Sequence, residues 1–280
     1  MRIALVVEYD GSSFCGWQSQ RSGGSVQDAL ETALSKIAGS SLRVVTAGRT
    51  DAGVHAVHQV VHFDTQAQRP IMAWVRGTNA LLPDSIAVRW ASQMSDDFHA
   101  RYSAIERCYV YLLLNRCVRP GLYRHRMSWF HQPLDVESMR TGAQFLLGEH
   151  DFSAFRAAEC QARSPVRNLT KIDIARYGDI IAFELRANAF LHHMVRNIVG
   201  CLVYVGKRKH PPEWMEELLA DRRRSEAAPT FSAAGLYLAG ITYDDKWKLP
   251  PLADPPLAAV LPGIGSLVQP DRSHATVHER

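Results

Sequence analysis

Three observations predict an α+β fold for this chain of 280 residues. Runs of strand length and strand composition recur along it. Amphipathic helical patterns are interposed among them without strict alternation, which favours helices packed on one face of a largely antiparallel sheet. With 46% apolar and 21% charged residues, the chain can also bury the core of one large or two medium domains.

The first unit is expected to cover residues 1–105. RIALVVEY, residues 2–9, reads as a buried strand closed by the turn-forming pair Asp10-Gly11. Ser25 opens a helix: Val26, Ala29, Leu30, Ala33, Leu34 and Ile37 fall at helical spacing, and Ser25 with Asp28 resembles a capping box. Strands at 42–46 and 57–63 flank the glycine-fenced stretch AGRTDAGVHA, residues 47–56. A helix over 71–81 and a strand at 86–90 complete the unit. The second, residues 106–247, begins with the strand CYVYLLL at 108–114. A helix over 135–147, strands at 169–175 and 179–186 and a long helix from Leu191 follow. The order of elements in the two halves is loosely similar, although no sequence repeat accompanies it. From 248 to 280 the chain is studded with proline and aperiodic, as a mobile tail or an extended segment laid on the surface would be.

The formal net charge of +4 does not by itself demand a nucleic-acid partner. Arginine greatly outnumbers lysine, which suits bidentate grip on phosphate but equally reflects a GC-rich genome. The five cysteines are scattered and form no C-x-x-C pair, which argues against a zinc knuckle or disulfide framework and for a reducing cytoplasm. Glu8 and Asp10 interrupt the N-terminal apolar run, so it is not a signal peptide, and no apolar run approaches the roughly 18 residues that span a bilayer.

Three segments carry candidate chemistry. In AGRTDAGVHA, Arg49 and Asp51 share a face if the segment is extended, and Gly48 and Gly53 permit left-handed angles and close approach. The plain alternative is an Asx turn. His55, His58 and His62 with Asp64 suggest a metal site, but the spacing fits neither a helical i, i+4 pair nor one strand face, and no metal is expected. In NAFLHHMVRNIVG, residues 188–200, His192 and Arg196, at i and i+4, sit together off the apolar stripe. Arg196 either pairs with a surface carboxylate or reaches Asp51, orienting it and holding it ionised. Tyr109 and Tyr111 alternate on the 108–114 strand beside Arg107. They are either sheet packing or a platform on which single-stranded bases stack. No phosphate-cradling glycine loop is present.

Taken together, YDGSSFCGWQSQ, SVQ, AGRTDAGVHA with QVVHF, HAR, DFSAFR, NAFLHHMVRNIVG and AAGLYL resemble the TruA family of tRNA pseudouridine synthases. The likeness runs in the family's order to about residue 243 and leaves out the proline-rich tail. It implies two similar α+β domains meeting at a positively charged cleft, a homodimer, and uridine-to-pseudouridine isomerisation at positions 38, 39 and 40 of the tRNA anticodon stem-loop. It implies Asp51 as the catalytic aspartate, Arg196 as its basic partner, Tyr109 as the residue stacking on the target base and Arg49 as a grip on the displaced nucleotide. Atoms and oxidation state balance in this isomerisation, so no cofactor is expected. Neither an RNA binder without chemistry nor a metal-dependent hydrolase built on the histidines is removed by sequence alone.

Overall fold

The computed structural model describes residues 1–253 and 256–261. Its fold is a mixed α/β arrangement built on one large mixed sheet. The strands are β1 (Arg2–Tyr9), β2 (Val45–Thr46), β3 (His55–Asp64), β4 (Ile86–Met94), β5 (Ala104–Asn115), β6 (Ser128–Phe130), β7 (Gly148–Asp151), β8 (Val166–Tyr177), β9 (Ile180–Ala187) and β10 (Leu236–Tyr243). They lie in the order β4-β1-β3-β10-β5-β9-β8-β7, with β2 added to β3 and β6 to β5. Pairing is antiparallel except for β3 with β10 and β5 with β6. The strands of both sequence halves therefore join in one sheet, and the junction is the two-pair parallel contact Tyr237–His55 and Leu238–Ala56.

Four helices, α1 (Val26–Ala38), α2 (Val136–Gln144), α3 (Met194–Gly206) and α4 (Trp214–Asp221), cover one face. Leu30 and Leu34 of α1, Met139 of α2, Ile198 and Leu202 of α3 and Met215 of α4 share one buried core with Leu5, Phe63, Tyr109 and Tyr111 of the sheet. The capping box is present: Asp28 N donates to Ser25 Oγ at 3.0 Å, and Ser25 N donates to Asp28 Oδ2 at 3.3 Å. Gly39 closes α1 at φ 74°, an angle that glycine adopts without strain.

Several element boundaries differ from the sequence expectation for visible reasons. The strand expected at 42–46 shrinks to Val45–Thr46 because side chains of α1 take its backbone donors: Leu42 N bonds Ser35 Oγ and Val44 N bonds Glu31 Oε1. The 71–81 helix contains a π-helical stretch, Ala73–Gly77. The helix expected from Leu191 starts at Met194, because His193 takes a left-handed φ of 63°.

The second face of the sheet carries Cys108, Val110, Leu112, Leu114, Ala182, Tyr237 and Ala239, covered in part by Leu257 of α5 (Pro256–Val260). Leu252 packs so tightly on Gly240 that a Cβ there would come within 2.6 Å of it. These described residues of the proline-rich segment lie on the sheet. The rest of the segment expected to be mobile lies outside the described residues. Among the described residues, no helix is long and apolar enough to cross a membrane.

Candidate active site

Asp51 sits on the loop between β2 and β3, which is held by a backbone donor, a side-chain donor and a bond of its own. Trp17 N donates to Thr50 O at 2.9 Å, Val54 N to Asp51 O at 3.1 Å, and Gln59 Nε2 to Gly48 O at 2.6 Å. Beneath it, Tyr9 Oη meets Thr50 Oγ1 at 2.8 Å, and burial pushes the Tyr9 hydroxyl up to about 12. Gly53 takes the left-handed region at φ 77°, as its place in the sequence suggests, whereas Gly48 does not.

The glycines of YDGSSFCGWQSQ, which have no phosphate-cradling spacing, have a different use. A Cβ on Gly11 would lie 1.9 Å from Val54 O, and one on Gly16 would lie 2.8 Å from Thr50 O. The N-terminal loop is thus pressed against the Asp51 loop, and only glycine permits that approach. Gly16 also has φ 96°. Gly16→Ala is expected to lower stability by about 1–3 kcal/mol. It should also lower turnover while leaving substrate affinity largely intact, as read by thermal melting and steady-state kinetics.

From the far half of the chain, Arg196 in the first turn of α3 donates Nη1 to Asp51 Oδ2 at 3.0 Å and Nε to Phe231 O at 2.8 Å. The second bond fixes the guanidinium, so it meets the carboxylate in one orientation. The two side chains are 15% and 18% exposed, open enough for ligand access yet shielded enough for the ion pair to matter. The alternative of a surface carboxylate for Arg196 does not hold.

Two histidines complete the surround. His192 Nε2 lies 3.3 Å from Asp51 Oδ1 and His193 Nε2 lies 3.5 Å from Oδ2. His192 and Arg196 both reach Asp51, on different oxygens, and since His192 precedes the helix it is the left-handed turn at His193 rather than helical i, i+4 spacing that sets its place. Desolvation lowers the pKa of His193 against the opposing pull of Asp51, with His192 and Arg196 also lowering it. Residue pattern alone does not single out His193. Its signal was the doublet His192-His193 just before an apolar helix, of which only the first residue fell in the i, i+4 pattern.

Ligand atoms of Asp51, His192 and His193 lie within 4.8 Å of one another, as a metal-binding group would require. The same Asp51 Oδ2 already faces Arg196, so a metal cation there would oppose a fixed guanidinium.

His55, His58 and His62 form no such group. His55 Nδ1 accepts from Gly11 N, with its Nε2 on His125 O; His62 Nδ1 accepts from Ala100 N; Asp64 pairs with Arg2. Burial first, then Arg2 and His99, lowers the His62 pKa to about 4, with Asp64 opposing. Stability tied to His62 is therefore complete above the ordinary imidazole range. It is lost as pH falls from about 6.5 towards 4, where the unfolded chain takes a proton that the native ring refuses. Between pH 7 and pH 5 this contributes about 1–2 kcal/mol of destabilisation. His62→Asn, which keeps an acceptor near the Nδ1 position, should show a correspondingly smaller loss in melts at the two pH values.

Across the sheet, Ala56, Leu238, Tyr109 and Leu185 form one row. This places Tyr109 two strands from the start of β3, about 10 Å away, and on the helix-bearing face. Tyr109 is 8% exposed and meets the Phe190 ring edge-on at 5.0 Å. Burial raises its hydroxyl pKa most, with Tyr9 and the Asp51 charge adding to the rise. Tyr111 is fully buried and bonds Ser128 Oγ and Ser232 O, so it is sheet packing and no platform for bases. Arg49 is exposed on the Asp51 loop and makes no hydrogen bond or ion pair among the described residues.

Arg107 serves the site from behind. Its guanidinium donates to Arg101 O at 2.7 Å, Asn188 O at 2.8 Å, Ala104 O at 3.1 Å and Ala47 O at 3.3 Å. Ala47 opens the Asp51 loop and Asn188 opens the segment leading to Arg196. One side chain thus ties together the two pieces that must meet. Burial lowers its pKa, opposed by the nearby hydroxyls of Tyr243 and Tyr109.

The family described as tRNA pseudouridine synthase matches residues 5–103 and 143–244, which include Asp51, Arg49, His192, His193 and Arg196. The chain belongs to this family. Tyr109 and Arg107 fall in the interval between the two matched segments. The chain is similar to the tRNA pseudouridine synthase A of Nitrosomonas eutropha, 60% identical over 250 residues that cover 89% of this chain and 90% of the relative. The corresponding enzyme of Dechloromonas aromatica is 57% identical, with 89% and 95% covered. That of Burkholderia multivorans is 55% identical over 251 residues, with 90% and 93% covered. Membership places this synthase among the isomerases that act on tRNA.

Proposed function

We propose that this chain converts uridine to pseudouridine at positions 38, 39 and 40 of the tRNA anticodon stem-loop, with Asp51 as the essential carboxylate. The observation that supports this best is the Arg196–Asp51 pair, contributed by segments 145 residues apart and flanked by two histidines. The reaction breaks the bond from ribose C1′ to N1, turns the uracil over, joins C5 to C1′ and releases the C5 proton. Whether the carboxylate adds to C1′, adds to C6 or takes the 2′ hydrogen, each route needs one ionised, oriented oxygen at the nucleotide. Arg196 orients it.

The target base must leave its stack, which costs a few kcal/mol. The aromatic pair Tyr109 and Phe190 offers an apolar wall for it, and base–aromatic contact returns roughly 1–3 kcal/mol. Arg49, exposed and unpaired among the described residues, is suited to hold the displaced nucleotide or its phosphate. In this reading residues 1–105 and 106–247 act as two α+β domains bordering a basic cleft. The enzyme works in the cytoplasm as a homodimer, because adjacent target nucleotides are better selected by the shape of the RNA than by base edges.

Incubation with tRNA tritiated at uridine C5 tests the proposal. Label is expected to pass to water with the RNA chain intact and with EDTA present. Retention of label would overturn the isomerase reading, and strand scission abolished by EDTA would establish a metal-dependent hydrolase instead.

A further inference from the structure

The C-terminal end of α3 carries a basic and aromatic corner that the chemistry at Asp51 does not use. The chain turns back there through Lys207 N to Val203 O, Arg208 N to Val205 O and Lys209 N to Tyr204 O, with Arg208 at φ 61°. The turn sends Arg208 to Asp135 at 3.3 Å and leaves the lysines on either side of it together. Lys207 Nζ lies 4.1 Å and Lys209 Nζ 4.3 Å from the centroid of the Tyr204 ring. Neither ammonium group has a carboxylate within ion-pair distance among the described residues. Beside them His210 stacks on Trp214 at 3.9 Å, and Tyr204 lies nearly parallel to both rings.

Two like charges gathered on one ring, without an anion, make a poor structural device. The turn already satisfies its carbonyls with backbone donors, so the lysines are not needed as caps. They do offer unpaired positive charge to external anions at this corner.

We propose that Lys207, Lys209 and Tyr204 form a contact for the phosphodiester backbone of the tRNA substrate, away from the reacting nucleotide. The inference rests on the tRNA reading above. The 13 residues of α3 rise roughly 20 Å between the Asp51 site and this corner. That distance is beyond the target nucleotide and within a folded RNA. Ammonium groups act as point charges on phosphate, so the contact adds affinity and orientation without reading sequence.

The test is the double variant Lys207→Gln, Lys209→Gln, with Lys246→Gln, Lys248→Gln as a control carrying the same charge change at the same spacing. Binding of full-length tRNA would be measured across a salt series and turnover at saturating tRNA, with thermal melting to verify folding. For the first variant, KM and Kd are expected to rise about five- to tenfold near 0.1 M salt, with kcat unchanged. The slope of log affinity against log salt should become shallower by about 1–1.5. The control should stay near native in both readings. Unchanged affinity and slope, equal loss in the control, or a fall in kcat at unchanged KM would each overturn the contact. A native enzyme that fails to bind tRNA at all would instead overturn the functional reading on which the contact rests.

Discussion

Asp51→Asn is expected to bind tRNA within about threefold of the native affinity and to release no C5 label, a loss of at least about 10⁴-fold in turnover. The substitution is nearly isosteric. Its amide oxygen can still accept from Arg196 Nη1, and the bond that Arg196 Nε donates to Phe231 O is untouched, so the site should keep its shape. What disappears is the negative charge available to the ribose or base. Stability should change by only about 1 kcal/mol, because the pair is not fully enclosed. Tritium release, tRNA binding and a melting curve on the same preparation separate chemistry from folding. Substantial turnover by the variant would remove Asp51 from the reaction.

Arg196→Met should lower kcat by about 10²–10³-fold and change KM little. The reason is geometric. Without the guanidinium, Asp51 is left with His192 and His193, at longer distances and held by a turn rather than by a helix. Arg196→Lys should fall between, since one ammonium cannot bond both Phe231 O and Asp51 Oδ2 with the planar fork that arginine supplies. If kcat and tRNA affinity fell together, Arg196 would be chiefly a phosphate contact and the orienting role would fail.

Patterns that repeat locally were legible in the sequence. The strand at 2–9 and the capped helix after Ser25 follow directly from side-chain periodicity and a local hydrogen bond. The strand β10 was not legible as one, although it joins the two halves of the sheet. LYLAGITY is buried along nearly its whole length, so it has no polar alternation to reveal it, and Gly240 interrupts it for a packing reason seen only with Leu252 in place. The helix α4, residues Trp214–Asp221, is equally hard to read from sequence, being two turns long between a double proline and an arginine run.

The candidate site divides in the same way. Asp51 and Arg196 were visible as residues out of keeping with their surroundings: a carboxylate between glycines and a guanidinium in an apolar helix. By itself the sequence determined the chemical types, the α+β class and, through its motifs taken together, the family. Only the tertiary structure decided that the helix starts late, so that a left-handed His193 turns both histidines onto Asp51, that Tyr111 is packing while Tyr109 lies within the field of the carboxylate, and that Arg107 binds the two halves of the site by their carbonyls. The physical reason is range. Propensity and periodicity act over a few residues, whereas hydrogen bonds and charge act through space between segments whose separation along the chain says nothing about their distance.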